Sequence, residues 1–264
     1  MKANTGIGIG IGLGCILLSV IMDGGNPAAL IGIPPFLIVV GGTLGATFAS
    51  VTMEQMKLVP TLYKKAFGGN GFEPNAAIEQ MVGLAEKARR EGLLALESEL
   101  ENVGDEFTRK GIQLVVDGKD SEIVKQILHS EMDGMAQRHR QNAAVFTTAG
   151  GFAPTLGIIG TVLSLVHVLE NLSDPSSLGK SIASAFIATL YGVGSANVIY
   201  LPVGNKLKAL AAEELNYREM QLEAILAIQA GDNPRTIGEK LETYIPPAAR
   251  PNADQQQQDL AQAA

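Results

Sequence analysis

The stretch Gln141–Leu169 reads QNAAVFTTAGGFAPTLGIIGTVLSLVHVL and contains no Asp, Glu, Lys or Arg. A helix needs about 20 mostly apolar residues to cross the hydrocarbon core of a bilayer, and this stretch is long enough. Three further windows also lack these charged residues: Ala3–Met22, Gly24–Met53 and Ser181–Asn205. The sequence therefore predicts four transmembrane helices.

The basic residues predict the orientation of these spans, because Lys and Arg accumulate on the cytoplasmic side of membrane proteins. Every Lys and Arg except Lys180 lies before span one, between spans two and three, or after span four. Both termini and the large central loop are therefore predicted to be cytoplasmic, and the two outer loops are very short.

The charge-free windows divide the chain into five segments. Residues 1–53 hold spans one and two, and residues 141–205 hold spans three and four. The spans are predicted at about 4–22, 29–50, 144–169 and 181–203. Residues 54–140 form a cytoplasmic helical domain, in which 76–100 and 121–140 have helical apolar spacing. Residues 206–245 form a cytoplasmic helix and tail, and 246–264, rich in Pro, Ala and Gln, are predicted to be disordered. The fold class is an all-α membrane protein.

Composition argues against several classes of function. The net charge is −7 and no basic stripe interleaved with aromatic residues occurs, so nucleic acid is not an expected partner. Cys15 is the only cysteine, which rules out an intramolecular disulfide and a cysteine metal cluster. No Ser/His/Asp set, phosphate-binding loop or HExxH motif is present. We therefore predict no enzyme activity, no catalytic residue, no metal site and no cofactor.

Glycines in span one are spaced for close helix contact. Gly6, Gly10 and Gly14 lie four residues apart, which would place small residues along one helix face. Helix packing is the expected role of these glycines.

The predicted spans carry no carboxylate at mid-depth. A protein that moves protons through a bilayer normally needs such a group, and His167 in span three lies near the outer end. Spans three and four instead carry prolines and hydroxyls: Pro154, Thr155, Thr161, Ser164, Ser184, Thr189, Ser195 and Pro202. Hydroxyls can line a cation path or hold helices together, but they do not titrate near neutral pH. Either the chain conducts nothing, or a partner supplies the acid.

Motifs in a fixed order around the four spans resemble the MotA/PomA family of flagellar stator subunits. The resemblance runs from span one to about Arg250. The motifs that carry it are Phe107-Thr108-Arg109-Lys110-Gly111-Ile112, Val116-Asp117-Gly118-Lys119-Asp120, Ala153-Pro154-Thr155-Leu156-Gly157-Ile158-Ile159-Gly160-Thr161, Thr189-Leu190-Tyr191-Gly192 and Asn233-Pro234-Arg235.

The resemblance implies partners and a location. Chains of this family are thought to form a pentameric ring around a dimer of a MotB-type partner, in the bacterial cytoplasmic (inner) membrane. The partner's single transmembrane helix carries the ion-binding Asp, which would supply the missing acid. Flow of H+ or Na+ would move the ring, and its cytoplasmic domain would then push on the rotor protein FliG.

The resemblance also assigns roles to particular residues. The rotor-contacting charges of the family fall on Arg89 and Glu97, and Arg90 would share a face with Glu97 if Ala88–Glu97 were one helix. The family's coupling prolines fall on Pro154 and Pro202, where a proline bends a helix and frees a backbone carbonyl.

Thr161 and Thr189 match two positions associated with ion choice. Sodium-driven members resemble this chain in having a hydroxyl at both positions, and hard cations prefer oxygen ligands, so sodium is favoured over the proton.

Two other functions remain open from the sequence. An ExbB/TolQ-type subunit, which energises outer-membrane processes, usually has three spans and an outside N-terminus, and the Arg89–Glu97 segment would be unexpected in it. A self-sufficient transporter would need an ionisable group at mid-membrane or broken half-helices.

Overall fold

The computed structural model describes residues 4–173 and 175–250, and of residues 175–177 only the backbone. Within that part of the chain all regular structure is helical. The helices are α1 (Asn4–Met22), α2 (Ile33–Ser50), α3 (Met53–Gly68), α4 (Pro74–Glu91), α5 (Glu106–Val116), α6 (Ser121–Glu170), α7 (Pro175–Ser195), α8 (Leu201–Ala230) and α9 (Pro234–Glu242). A π-helical turn, Ala196–Tyr200, joins α7 to α8. Three 3-10 turns cover Pro27–Leu30, Leu93–Glu99 and Pro247–Ala249.

Four of these helical stretches are long and apolar enough to cross a membrane: Asn4–Met22, Ile33–Ser50, Ser121–Glu170 and Leu178–Ala230. Helix α1 buries none of its residues, and large apolar side chains such as Ile7, Ile11 and Leu18 are exposed. A helix that is apolar all round requires lipid or other protein around it. The chain is therefore an all-α, multi-pass membrane protein.

Two consecutive prolines set the start of α2. Pro34 and Pro35 lie in its first turn, where a missing amide hydrogen costs nothing. Residues 27–30 form a separate 3-10 turn capped by the Asn26 side chain. The second span consequently begins at Ile33, four residues later than predicted, and a π-helical turn at Leu37–Gly41 interrupts it.

The chain forms two compact units, which we describe separately. The first comprises the residues up to Asn70 together with Arg138–Ala211. Its small buried core joins α3 to α6 and α8 through residues such as Ala66, Phe146 and Val203. Helix α3 begins at a capping box formed by Thr52 and Gln55.

The glycines of span one do not all pack as their spacing suggested. Within this chain, a methyl group added at Gly10 or Gly14 would meet open space, and one at Gly6 would only touch the Phe67 ring. The close approach is at Gly12 instead, where a methyl group would lie 3.1 Å from Val198. Spacing alone identified the helix that can approach a neighbour, but not the face it uses.

The second unit comprises Gly71–Gln137 and the residues from Ala212 onward. Its core includes Met81, Leu96, Ile112 and Ile225, all fully buried or nearly so. The boundaries between the units fall at 70/71, 137/138 and 211/212, whereas charge suggested 53/54, 140/141 and 205/206. Packing between helices and immersion in lipid are different properties, so the division of the chain by charge stays a prediction.

A buried polar network holds α5 against α8 in the second unit. Asp105 caps α5 by accepting a hydrogen bond from the Thr108 amide at 2.9 Å, and it accepts another from Arg218 at 2.6 Å. Gln221 donates to both Asp105 (3.0 Å) and the Thr108 hydroxyl (2.8 Å). The Arg218 guanidinium lies 5.3 Å from the centre of the Phe107 ring, a cation–π distance.

The network perturbs the pKa of Asp105. Burial acts to raise this pKa, but the hydrogen bonds from Arg218 and the Thr108 amide outweigh it and hold the pKa below its ordinary value. A carboxyl group whose pKa is depressed by folding stabilises the protein above its unfolded pKa. That stabilisation disappears as the pH falls through the folded pKa.

We expect Arg218→Met to lower the free energy of unfolding by about 2–3 kcal/mol at pH 7, because it removes the charged partner of the half-buried Asp105 carboxylate. The deficit relative to the unsubstituted protein should shrink at a pH below the ordinary aspartate pKa of about 3.9, because a protonated Asp105 no longer needs the arginine. Thermal unfolding of the purified protein at both pH values measures this. Arg235→Met is the matched control, because its ion pair with Glu239 is exposed and should contribute less than about 1 kcal/mol. Equal losses from the two substitutions at pH 7 would contradict the prediction.

The end of the chain is ordered for a few residues beyond the predicted boundary. Arg250 donates to the Ile245 carbonyl at 3.1 Å, and Asn75 donates to the Ala249 carbonyl at 3.0 Å. The predicted disordered tail, 246–264, therefore does not include residues 246–250. Residues 251–264 lie outside the described part of the chain.

Candidate functional site

In the first unit, the backbones of helices α6 and α7 lie in close contact. A methyl group at Gly192 would lie 2.6 Å from the Ala153 carbonyl oxygen, and one at Gly157 would lie 2.9 Å from the Ala188 carbonyl oxygen. At Gly160 a methyl group would lie 2.8 Å from the Ala188 methyl. Small residues on both helices thus permit a contact that larger side chains would prevent.

This close contact brings the two predicted ion-choice hydroxyls together. The Oγ1 atoms of Thr161 and Thr189 lie 2.6 Å apart. The Thr161 hydroxyl also lies 3.1 Å from the carbonyl oxygens of both Gly157 and Ala185. Because a hydroxyl has one proton, Thr161 can donate to only one of these three oxygens at a time. The result is a half-buried cluster of oxygen atoms, the kind of ligand that hard cations prefer.

Exposed apolar side chains lie one helical turn before and after each hydroxyl. Thr161 lies one turn from Ile158 and Leu165, and Thr189 lies one turn from Phe186 and Val193. All four of these apolar side chains are exposed in the single chain, and Phe186 is 73% exposed. The face that carries the two hydroxyls is therefore suited to pack against another apolar helix.

The predicted coupling prolines lie away from the hydroxyl pair. Pro154 is inside α6, two turns before Thr161, which is about 10 Å along the helix. Pro202 follows the π-helical turn Ala196–Tyr200 and borders a cavity of about 410 Å³ that Asn4, Thr5 and Asn197 also line. Since Pro202 has no amide hydrogen, the backbone at this turn loses one helical hydrogen bond. The structure thus brings two of the four predicted path residues into contact and leaves the other two apart.

His167 lies at the end of α6 and is exposed. Its Nδ1 is 3.9 Å from a Glu170 carboxylate oxygen and 3.3 Å from the Asn171 amide nitrogen. These polar neighbours are within one turn of the same helix end, so His167 does not supply an ionisable group next to the hydroxyl pair.

The three predicted rotor-contact residues are all exposed in the second unit, but they do not lie on one helix. Helix α4 ends at Glu91, and Gly92 takes φ +88°, a conformation that glycine adopts readily. The chain continues as the 3-10 turn Leu93–Glu99. The shared helix face expected for Arg90 and Glu97 is therefore absent, because the helix on which it depended stops between them.

Tyr191 is a site residue for which sequence reasoning predicted no role. Its hydroxyl donates to the Leu30 carbonyl at 2.6 Å and accepts from the Gly32 amide at 3.3 Å. Its ring also meets Phe36 edge to face, with ring centres 6.3 Å apart. Tyr191 thereby fixes the entry to α2 against α7. The signal was available, since a tyrosine in an apolar span needs a partner for its hydroxyl.

Comparisons with known proteins agree with this architecture along more than nine tenths of the chain. The MotA/TolQ/ExbB proton channel family matches residues 99–220, and the "Motility protein A N-terminal" family matches residues 6–92. Motility protein A of Borreliella burgdorferi is 40% identical over 92% of this chain and 94% of its own length. The structure titled C. jejuni MotAB matches with a TM-score of 0.89 and 30% identity, over 93% of this chain and 96% of that chain. The flagellar MotAB stator complex from Bacillus subtilis matches with a TM-score of 0.85 and 36% identity, over 91% and 94%.

Proposed function

The chain belongs to the MotA/TolQ/ExbB proton channel family, and from that premise we propose that it is a stator subunit of the bacterial flagellar motor. The match of residues 6–92 to the "Motility protein A N-terminal" family supports this role over the ExbB/TolQ alternative. The four candidate membrane helices support it as well, since three spans would be usual for ExbB/TolQ-type subunits. The cytoplasmic membrane of a bacterium is the proposed location, with both termini inside.

The partner in this proposal is a MotB-type subunit whose transmembrane helix carries an Asp. Both similar structures are of MotAB, which supports such a partner. The observation that carries the proposal is the Thr161–Thr189 oxygen cluster, set in an exposed apolar face of spans without a carboxylate. Several copies of this chain, in a pentameric ring, would present that face to the partner's helix.

The proposed mechanism divides the chemistry between the two subunits. The partner's Asp binds and releases the cation, while the hydroxyls of Thr161 and Thr189 replace part of its water shell as it passes. Sodium is the proposed cation, because the hydroxyl and carbonyl oxygens that this chain supplies suit a hard metal cation and do not titrate near neutral pH. Each binding event changes the charge on the Asp and hence the ring position of lowest energy, so ion flow moves the ring. Pro154 and Pro202 provide the bends at which the spans adjust. The chain itself catalyses no reaction.

Complementation tests the proposed function. A motile bacterium that lacks its stator genes should swim when this chain and its MotB-type partner are expressed together. It should not swim with either one alone, nor when the partner's Asp is replaced by Asn. Swimming supported by this chain without a carboxylate-bearing partner would overturn the proposal.

The rotor protein FliG is the proposed target of the second unit. We expect Arg89→Glu or Glu97→Lys to leave membrane accumulation unchanged, because both side chains are exposed. Swimming speed should fall severalfold, and an opposite charge change on FliG should restore it. Exposed ion pairs contribute only about 0–1 kcal/mol each, which suits a contact that forms and breaks at every step. Lys110→Glu is a control of equal charge change at another exposed pair, and an equal loss of speed from it would argue against a specific contact.

A further inference from the structure

Among the described residues of the second unit, Leu94 has the most exposed large aliphatic side chain, and it lies in the turn between Arg90 and Glu97. Leu94 is 72% exposed. In the described part of this unit, the only other large aliphatic or Phe side chain classed as exposed is Ile123, at 43%. A single exposed leucine is ordinary on a protein surface, so its surroundings must decide whether it has a role.

The geometry of the 3-10 turn gives Leu94 and Glu97 a common direction. A 3-10 helix has three residues per turn, so side chains three apart lie above one another. Leu93 and Leu96 occupy the inner face: Leu96 is fully buried and Leu93 packs on the same core. Leu94 and Glu97 occupy another face, and both are exposed. An apolar side chain and an acidic side chain are thus presented side by side to solvent.

The turn is held in place by contacts at both of its ends. Lys87 on α4 donates to the Glu99 carboxylate at 2.6 Å and to the Ser98 hydroxyl at 2.9 Å. The hydrogen bond from Lys87 lowers the pKa of Glu99, with a smaller contribution from Asn102. At the other end, the Gly92 amide donates to the Ala88 carbonyl at 2.9 Å. Leu94 therefore protrudes from a fixed turn, which reduces the entropy lost when it enters a partner's pocket.

We propose that Leu94 is an apolar anchor of the rotor contact, with the exposed Arg89 and Arg90 before it in the chain and the exposed Glu97 after it. This inference rests on the proposed stator function. The partner surface that fits has a shallow apolar pocket with a basic side chain near Glu97 and an acidic side chain near the two arginines. Interfaces usually derive most of their strength from a few buried side chains, while surrounding charges set orientation and partner choice. One leucine strengthens the contact but leaves it weak enough to break.

Binding of the purified complex to FliG tests this assignment. The full chain with its MotB-type partner, in lipid nanodiscs, is titrated with FliG at low and high salt. Leu94→Gln should weaken binding about tenfold at both salt concentrations, because loss of apolar burial is not screened. Arg89→Glu should weaken binding strongly at low salt and much less at high salt. Leu94→Met should bind like the unsubstituted chain, because its volume and apolar character are kept.

Ile123→Gln is the matched control, as it removes another exposed apolar side chain of the second unit and should leave binding to FliG unchanged. Thermal unfolding of Leu94→Gln should be unchanged, since the side chain is already exposed. If the unsubstituted complex binds FliG at neither salt concentration, FliG is not the target and the anchor proposal fails with it. If it binds, and Arg89→Glu weakens binding while Leu94→Gln does not, the anchor is refuted and the stator function stands. Equal weakening by Ile123→Gln would also refute the anchor.

Discussion

Replacing Gly192 with alanine is expected to abolish swimming and to lower the free energy of unfolding by about 1–3 kcal/mol. The added methyl group would lie 2.6 Å from the Ala153 carbonyl oxygen, a backbone atom that cannot move without moving α6. The two helices must separate at this point. Because Thr189 lies one turn before Gly192, the separation also pulls the Thr189 hydroxyl away from Thr161.

Gly194→Ala is the matched control for this substitution. Gly194 lies two residues further along α7, where an added methyl group would meet nothing within 4 Å. Alanine is favoured over glycine in a helix by about 1 kcal/mol, so this variant should be as stable as the unsubstituted chain or more so. The amount of protein in the membrane, the thermal unfolding and the swimming speed are measured for Gly192→Ala and Gly194→Ala. The opposite signs expected for stability make the comparison decisive: a neutral Gly192→Ala would mean that the helices are not in backbone contact.

The family resemblance was enough to select the two hydroxyls, but not to show that they touch. Thr161 and Thr189 stood among several Ser and Thr residues in spans three and four, and the family resemblance singled them out. Their contact depends on how α6 and α7 cross, which is set by Gly157, Gly192 and Ala188 together. The small residues lie at matching spacing in both spans, which permits a close crossing of the two helices. The glycines of span one show the same spacing without such a contact, which is why spacing alone could not decide.

The rotor-contact segment shows a different limit of sequence reasoning. Its apolar spacing favoured one helix through residues 76–100, yet the chain leaves the helix at Gly92. Leu96 reaches the core from a 3-10 turn instead, with its side chain fully buried. The α-helical and 3-10 periodicities differ little over so few residues, so the sequence pattern could not distinguish them. Packing against the core determines that this segment is a 3-10 turn. The fold class, in contrast, followed from long charge-free windows, a signal that local packing cannot reverse.

Replacing the hydroxyl of Thr161 or Thr189 with a methyl group is expected to impair ion use more than folding. Valine has nearly the shape of threonine, so Thr161→Val and Thr189→Val keep the helix contact while removing one oxygen from the cluster. A hydrogen bond to a charged group is worth about 1.5–3 kcal/mol, and we take loss of a cation ligand to be similar. The external sodium concentration for half-maximal swimming speed should therefore rise about tenfold or more in each variant. Thr161→Ser and Thr189→Ser, which keep the oxygen, should change it little.

The measurement is swimming speed against external sodium at a fixed membrane potential, repeated at two pH values. Thr155→Val serves as the control, because the Thr155 hydroxyl donates to the Phe152 carbonyl of its own helix at 2.7 Å and lies outside the cluster. Speed that ignores sodium and follows pH in the unsubstituted chain would refute the proposed cation but leave the oxygen cluster with a role in proton-driven flow. If Thr161→Val and Thr189→Val leave the dependence of swimming speed on sodium and on pH unchanged, the oxygen cluster has no role in ion flow. Since the spans hold no carboxylate, the site would then have to depend entirely on groups that the partner supplies.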